Sequence, residues 1–311
     1  MKLNYPNGKQ FAFTFCDDTD FATLENVKPV YDFLFDLGMR TTKLVWLRDG
    51  DANGRNNGDT CEKAEYLEWL RSLQEKGFEI GLHNVAASSS TREQIENGIR
   101  EFTTHFGGAP RVHCNHTGCL DNLYWGSFRM SGWRRAIYNL WTRGKNKRIS
   151  LGHIPANQHF WGDICREKIE YVRNFTCDSL NTFKFCPQMP YHDGNKPFVN
   201  FWFAATNASS PKYFRQNFDF EQIDRLIEEN GLCIAYVHFG TKFYKDGKLD
   251  EHFKNVMEYV AAKNGWFAPV SEIMNFLRAG ASIEDRRISN FELQKLEMRW
   301  LFGKFGKKVG I

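Results

Sequence analysis

The sequence contains no Cys-x-x-Cys pair: its eight cysteines, at 16, 61, 114, 119, 165, 177, 186 and 233, are scattered singly. That spacing excludes a zinc ribbon and a thioredoxin-like redox motif. No apolar run approaches the roughly 18 residues that a membrane-spanning helix needs, and the opening segment MKLNYPNGKQ is polar, without an apolar signal core. Repeats and low-complexity tracts are missing too. The formal charge is only +4, so composition makes no overall case for nucleic acid, and any basic partner site must be local. Together these absences lead to the expectation of a cytoplasmic protein with reduced thiols.

What is present is a core-forming chain with a rhythm. At 311 residues it could hold two domains, but α/β barrels of this order commonly fold as one. One unit recurs: an amphipathic helix, a glycine, then an apolar strand. NVKPVYDFLFDLG ends at Gly38 before TTKLVWL, and EKAEYLEWLRSLQEKG ends at Gly77 before FEIGLH. Ser90 and Glu93 form a capping box for REQIENGIREFTTHFGG, which runs into PRVHCNH. Asp219 can cap FEQIDRLIEENG, with Gly231 before LCIAYVHFG, and DEHFKNVMEYVAAKNG leads through Gly265 into WFAPV. Glycine suits the left-handed position after each helix. Strands alternating with helices at this spacing imply a parallel sheet.

The expected fold is therefore α/β, a distorted (β/α) barrel of seven strands with long loops over its C-terminal face. It would occupy residues 1–280 as a single domain. Within it, 119–215 reads as an irregular, loop-rich insertion, and 281–311 as a basic helical tail.

FAFTFCDDTDF, Phe11 to Phe21, starts as a strand and ends in three acids, Asp17, Asp18 and Asp20. Turn and helix-cap chemistry accounts for such a cluster on its own; so does a bound cation that offsets the crowding. Other strands help to choose. FEIGLH ends in His83, RVHCNH in His116 and LCIAYVH in His238, so four strand ends carry an acid or an imidazole. In parallel α/β barrels the reactive groups collect at those ends. Asp18 shares the inward face of Ala12, Thr14 and Cys16, and His116 shares a face with Val112 and Cys114. Two imidazoles and a carboxylate with an open position suit a hydrolytic zinc site, with Asp18 neutralised by the metal and Asp17 left to act on a water. Asp20 reads as a helix cap before FATLENV, or as a further ligand.

These residues resemble the polysaccharide deacetylases, the NodB-homology or carbohydrate esterase family 4 domain. The family's Thr-Phe-Asp-Asp is similar to Phe15-Cys16-Asp17-Asp18, and its Glu-Ile-Gly-x-His to Glu79-Ile80-Gly81-Leu82-His83. The resemblance extends over roughly residues 10–278 and implies Asp17 as catalytic base, Asp18 and His83 as metal ligands and His238 as general acid. It departs from the family in two places. Ala87 stands where the second metal histidine belongs, and Cys114-Asn115-His116-Thr117-Gly118 replaces Arg-Pro-Pro-x-Gly, so the arginine that steadies the base is missing there. His116 is read as the substitute ligand, with His113 as the competing candidate.

The implied activity is metal-dependent, most simply zinc-dependent, removal of an N-acetyl or related acyl group from an amino sugar. A cytoplasmic site would suit intermediates of O-antigen or capsule assembly. Two alternatives stand beside it: a hydrolase of another C–N bond, and a catalytically silent glycan-binding module on the same fold. Asn115, Asn122, Trp125, His153, Asp163 and His192 are candidate substrate contacts. The basic, aromatic stretches 128–148 and 298–311 suit the surface of an anionic membrane; RNA binding has no motif behind it.

Overall fold

The alternation in FAFTFCD sorts into two faces. In the computed structural model, which describes residues 2–51, 57–145 and 150–309 (305–309 as backbone only), this segment is strand β1, Phe11–Asp17. Its odd side chains enter an outer aromatic layer: Phe15 meets Phe239 edge-on at 5.1 Å and Phe253 at 6.1 Å. Its small even side chains face the interior, where Cys16 Sγ lies 3.6 Å from Cys114 Sγ. Period-2 side-chain alternation is what lets one short strand serve two cores.

Six more parallel strands follow: β2 (Thr42–Val45), β3 (Glu79–Leu82), β4 (Val112–His113), β5 (Tyr171–Cys177), β6 (Phe201–Ala208) and β7 (Leu232–Val237). They neighbour one another in chain order, and β7 returns to β1 to close the barrel. The closing seam runs from Ala12 beside Leu232 to Asp17 beside Val237. On its other edge β1 is shared between the short strand Gly265–Trp266 and β2. The seven-stranded barrel expected from the sequence is the fold observed.

Helices α1 (Leu24–Asp36), α2 (Ala64–Glu75) and α3 (Arg92–Phe106) fill the first crossovers. α1 buries Val27, Val30, Tyr31 and Leu34, one stripe at helical spacing. Gly38, Gly77 and Gly107 adopt the left-handed backbone that ends these helices. After the helix Phe220–Glu228 that residue is Asn230 instead, at φ 50°, and Gly231 is not left-handed. Asp219 caps that helix through Gln222, as expected. The capping box of α3 is Thr91 with Gln94, one residue beyond the expected Ser90 and Glu93. Ser90 is engaged otherwise, its N–H donating to Asp121 and its carbonyl accepting from His159.

The stretch 119–215 is less irregular than its sequence suggests. It supplies β5 and β6, and also helix α4 (Gly132–Trp141). The tail packs against the barrel. The helix Asn290–Val309 buries Leu293, Leu296, Trp300 and Leu301, with Trp300 against Phe175 and Tyr138 at 5.4 and 5.7 Å. Each such buried side chain contributes about 1.5–3 kcal/mol. Among the described residues no helix is long and apolar enough to cross a membrane.

Candidate metal centre

His83 follows β3 directly, and its orientation is fixed from behind. Its Nδ1 meets the carbonyl of Cys114 at 2.9 Å, so Nδ1 carries the proton and the Nε2 lone pair faces inward. There it lies 3.1 Å from His116 Nδ1 and 3.1 Å from Asp20 Oδ2. His116 Nδ1 is in turn 3.5 Å from Asp20 Oδ1. All three side chains are almost fully buried, and Trp46 packs edge-on against His116 at 5.1 Å.

The loop that carries His116 is pinned by asparagines. Asn84 accepts the His116 N–H at 2.9 Å, and Asn122 donates to the His116 carbonyl at 2.6 Å. Asn84 also donates to Asn122 and to Asp121, whose carboxyl burial pushes up to about 6. Asn115, for its part, is saturated by Leu123, to which it both donates and accepts.

Asp18 turns inward beside this group and meets a cation. Arg173, from β5, holds both carboxylate oxygens, at 2.8 and 2.6 Å, while its guanidinium lies over the Tyr236 ring at 4.1 Å. Burial would raise the Asp18 pKa, but Arg173, His83 and His238 outweigh it and hold the carboxyl below its ordinary value. The resemblance expects an arginine beside Asp17; here an arginine from another strand pairs with Asp18 instead. His238 closes the group: its Nε2 is 3.8 Å from Asp18 Oδ2 and 3.6 Å from Asp20 Oδ2, and it meets Tyr236 Oη at 2.9 Å. His238 Nδ1 donates to the Ser209 carbonyl at 3.0 Å, which leaves Nε2 as the nitrogen facing the acids.

Asp17 lies on the opposite face of β1. It forms an ion pair with Lys43 Nζ at 3.0 Å and accepts from Tyr31 Oη at 2.9 Å and from the Phe239 N–H at 2.9 Å. It is therefore walled off from the cluster by the strand itself, because adjacent residues of a strand point to opposite sides. Asp20 is the acid that lies with His83 and His116, and it is not the helix cap. Thr23 caps α1, in a capping box with Asn26.

The other candidates divide. His113 is outside the cluster, edge-on to Trp161 at 5.1 Å, with burial driving its pKa down to about 3. His153 stacks on Tyr124 at 4.2 Å and receives the Tyr124 N–H. The Trp125 ring is covered by the Arg129 guanidinium at 3.3 Å. Asp163 is at the surface in a two-pronged pair with Arg92, and His192 donates to the Val199 and Asn200 carbonyls while its backbone pairs with the segment at Arg286. Neither meets the cluster. Reading the sequence alone missed Arg173 and Lys43. Each is a lone cation inside an apolar strand, YVRNFTC and TTKLVWL, and that is the available signal: such charges are buried only with partners.

Three groups could hold a cation by proximity: Asp20 with His83 and His116, Cys16 with Asp18 and Cys114, and Asp18 and Asp20 with His238. Arg173 decides among them. A guanidinium already spans both Asp18 oxygens and its Nη1 lies 3.7 Å from Cys16 Sγ, which leaves a second cation at Asp18 opposed by charge. At Asp20, His83 and His116 the donor atoms stand 3.1–3.5 Å apart. Ligands each about 2.0–2.1 Å from a tetrahedral zinc have this spacing, and the donors are those zinc takes. The residues fit the metal.

No family model matches the chain, and no curated protein does. Solved structures do. A probable polysaccharide deacetylase from Pseudomonas aeruginosa PAO1 is similar at a TM-score of 0.51 and 11% identity, over 90% of this chain and 95% of that one. The allantoinase PuuE is similar at 0.50 and 11%, over 90% and 94%. At this identity the likeness is one of fold. The chain has the polysaccharide-deacetylase barrel.

Proposed function

We propose that the protein is a metal-dependent hydrolase of a C–N bond, and that its substrate is an N-acylated amino sugar. The observation that carries the reading is the convergence of His83 Nε2, His116 Nδ1 and Asp20, two ring nitrogens and a carboxylate held at ligand spacing. Neighbouring acid and imidazole supply the remaining hydrolytic roles. Fold alone does not choose the substrate, since the similar solved structures include both a deacetylase and an allantoinase. The sugar is favoured by the motif resemblance around Glu79 to His83, and intermediates of surface-glycan assembly, O-antigen or capsule, are its expected source.

The roles follow the geometry. Asp20, His83 and His116 would hold a divalent cation, zinc being the best match. When bound, it would acidify a water and polarise the acyl carbonyl. Asp18 is the base: kept ionised and aimed by Arg173, it takes a proton from the attacking water. His238, with Nε2 facing the acids and side chain partly open to solvent, donates a proton to the departing amine. The products are a carboxylate and a free amino sugar. Asp17 has a structural role.

The test is metal analysis and turnover of variants on acetylated amino sugars. Asp18→Asn should keep its metal and lose about 10²–10⁴-fold in turnover. Asp20→Asn, His83→Ala and His116→Ala should lose metal. If Asp18→Asn empties the site while Asp20→Asn leaves it filled, the two acids exchange roles. If the unaltered protein takes up no zinc, the silent binding module becomes the better reading.

A further inference from the structure

Arg129 ends the short 3-10 turn Gly126–Arg129 in the loop after β4, and it is only 8% exposed. Its guanidinium lies 3.3 Å from the centre of the Trp125 ring and 5.6 Å from that of Trp300. Among the described residues every other deeply buried lysine or arginine has an acid: Lys43 has Asp17, Arg173 has Asp18, Arg134 has Glu297 and Lys196 has Asp193. Arg129 differs. Among the described residues no carboxylate pairs with it, and its Nε has no hydrogen-bond partner.

Its location gives the vacancy of charge a meaning. The second aromatic neighbour of Arg129, Trp300, packs at 5.4 Å on Phe175, two residues along β5 from the Arg173 that holds Asp18. Through its neighbour Trp125 it is also tied to the ligand loop. The Trp125 N–H donates to Ser150 Oγ at 2.8 Å, Ser150 donates to the Asn122 carbonyl at 2.7 Å, and Asn122 holds His116. Arg129 therefore lies on the loop that leaves the C-terminal end of β4, the same loop that carries His116. Burial drives its pKa down to about 9, with Tyr138 countering and Arg173 assisting, which still leaves it charged at neutral pH. Two aromatic faces attract such a cation but accept none of its hydrogen bonds. A buried charge without hydrogen-bonded compensation is costly, and an arriving oxyanion removes that cost.

We propose that Arg129 is an anion-reading subsite, so that the sugar substrate carries a phosphate or a carboxylate which the planar guanidinium grips. This rests on the sugar-hydrolase reading of the adjoining cluster and narrows its substrate class to acidic or phosphorylated amino sugars. Trp125 and Trp300 set the plane of the guanidinium. Lysine could not reproduce a two-pronged grip from the same place.

The experiment is calorimetric binding to the zinc-loaded protein of N-acetylglucosamine, N-acetylglucosamine 1-phosphate and the carboxylate-bearing N-acetylmuramic acid. One charged sugar should bind at least about tenfold more tightly than the neutral one, as charge-assisted hydrogen bonds allow, and which of the two does so identifies the anion. Arg129→Met should abolish that preference. If it fails to fold, Arg129→Lys serves, with a clearly reduced preference expected from loss of the fork. Equal binding of all three sugars, no binding of any, or an undiminished preference in a folded variant overturns the inference. Charge preference in a protein that hydrolyses none of them leaves the subsite standing and removes the hydrolase reading instead.

Discussion

Lys43 Nζ and Asp17 Oδ2 stand 3.0 Å apart with both side chains sealed from solvent, in the layer between the barrel wall and α1. Burial lowers the lysine's pKa, but Asp17 outweighs it and keeps Lys43 charged. The pair joins β1 to β2 at the position where Asp17 and Lys43 stand in register, one residue before Asp18. Removing one partner of such a pair leaves a bare buried charge.

Asp17→Asn should accordingly destabilise the fold by about 3–5 kcal/mol. Adding Lys43→Met should restore most of that loss, since the stranded charge goes with it. Urea titration of the single and double variants measures both. The opposite pattern, an unchanged urea midpoint with turnover abolished, would return Asp17 to the role of base that the motif resemblance gives it.

Gly240 controls the other acid. A Cβ there would fall 2.4–2.6 Å from Phe21 C, Ala22 N and Asp20 O, inside the Thr19–Ala22 turn. Gly240→Ala should push that turn and carry Asp20 off its position, weakening zinc binding by about 10–100-fold, the usual cost of disturbing a ligand's support. Gly303→Ala is the control, since nothing lies within 4 Å of its Cβ. Zinc affinity equal in the two variants would take Asp20 out of the ligand set.

The barrel was readable because its crossovers repeat one pattern, helix then glycine then strand, and Gly38, Gly77 and Gly107 mark it where a left-handed residue is needed. The pattern fails between β4 and β6, where the connecting helices are short, and there YVRNFTC and FWFAATNA passed for loop. At the site, strand-end position was enough to find His83, His116 and His238. Which acid turned inward was not settled by a motif that places two of them side by side. Strand parity alone sends Asp18 in and Asp17 out, and the chain then turns so that Asp20 returns to the mouth. Arg173 could not be foreseen, because its pairing with Asp18 joins residues 155 positions apart.

Acid should weaken the fold through His153. Burial, with Arg135 and Lys196 assisting, lowers its pKa from the ordinary 6.5 to about 4. Between those values the unfolded chain takes up a proton that the folded one refuses, so stability falls as pH drops through that window and levels off below it. His153→Phe keeps an aromatic ring against Tyr124 and Phe128 and removes the proton site. Its urea midpoint should fall less than that of the unaltered protein between pH 7 and pH 5. Parallel falls in the two proteins would assign the acid sensitivity elsewhere, His113 being the next group to test.

Membrane contact, expected from the basic aromatic stretches, takes a narrower form on the folded chain. Of the aromatics in those stretches, Trp300 is buried against Phe175 and Trp141 is only partly exposed. Arg129 and Arg134 are likewise withdrawn from the surface. What remains is one face of α4, with Trp133, Ile137 and Leu140 exposed at helical spacing, Arg143 and Lys145 following it, and Phe302 exposed on the helix packed beside it. Basic residues beside such a face suit an anionic lipid surface, each adding about 1 kcal/mol. Co-sedimentation with anionic vesicles at low salt should therefore be measurable, should decline as salt screens it, and should be lost in Trp133→Ser/Leu140→Ser with zinc content unchanged. Equal, weak co-sedimentation with neutral and anionic vesicles would leave α4 a solvated helix and the substrate a soluble one.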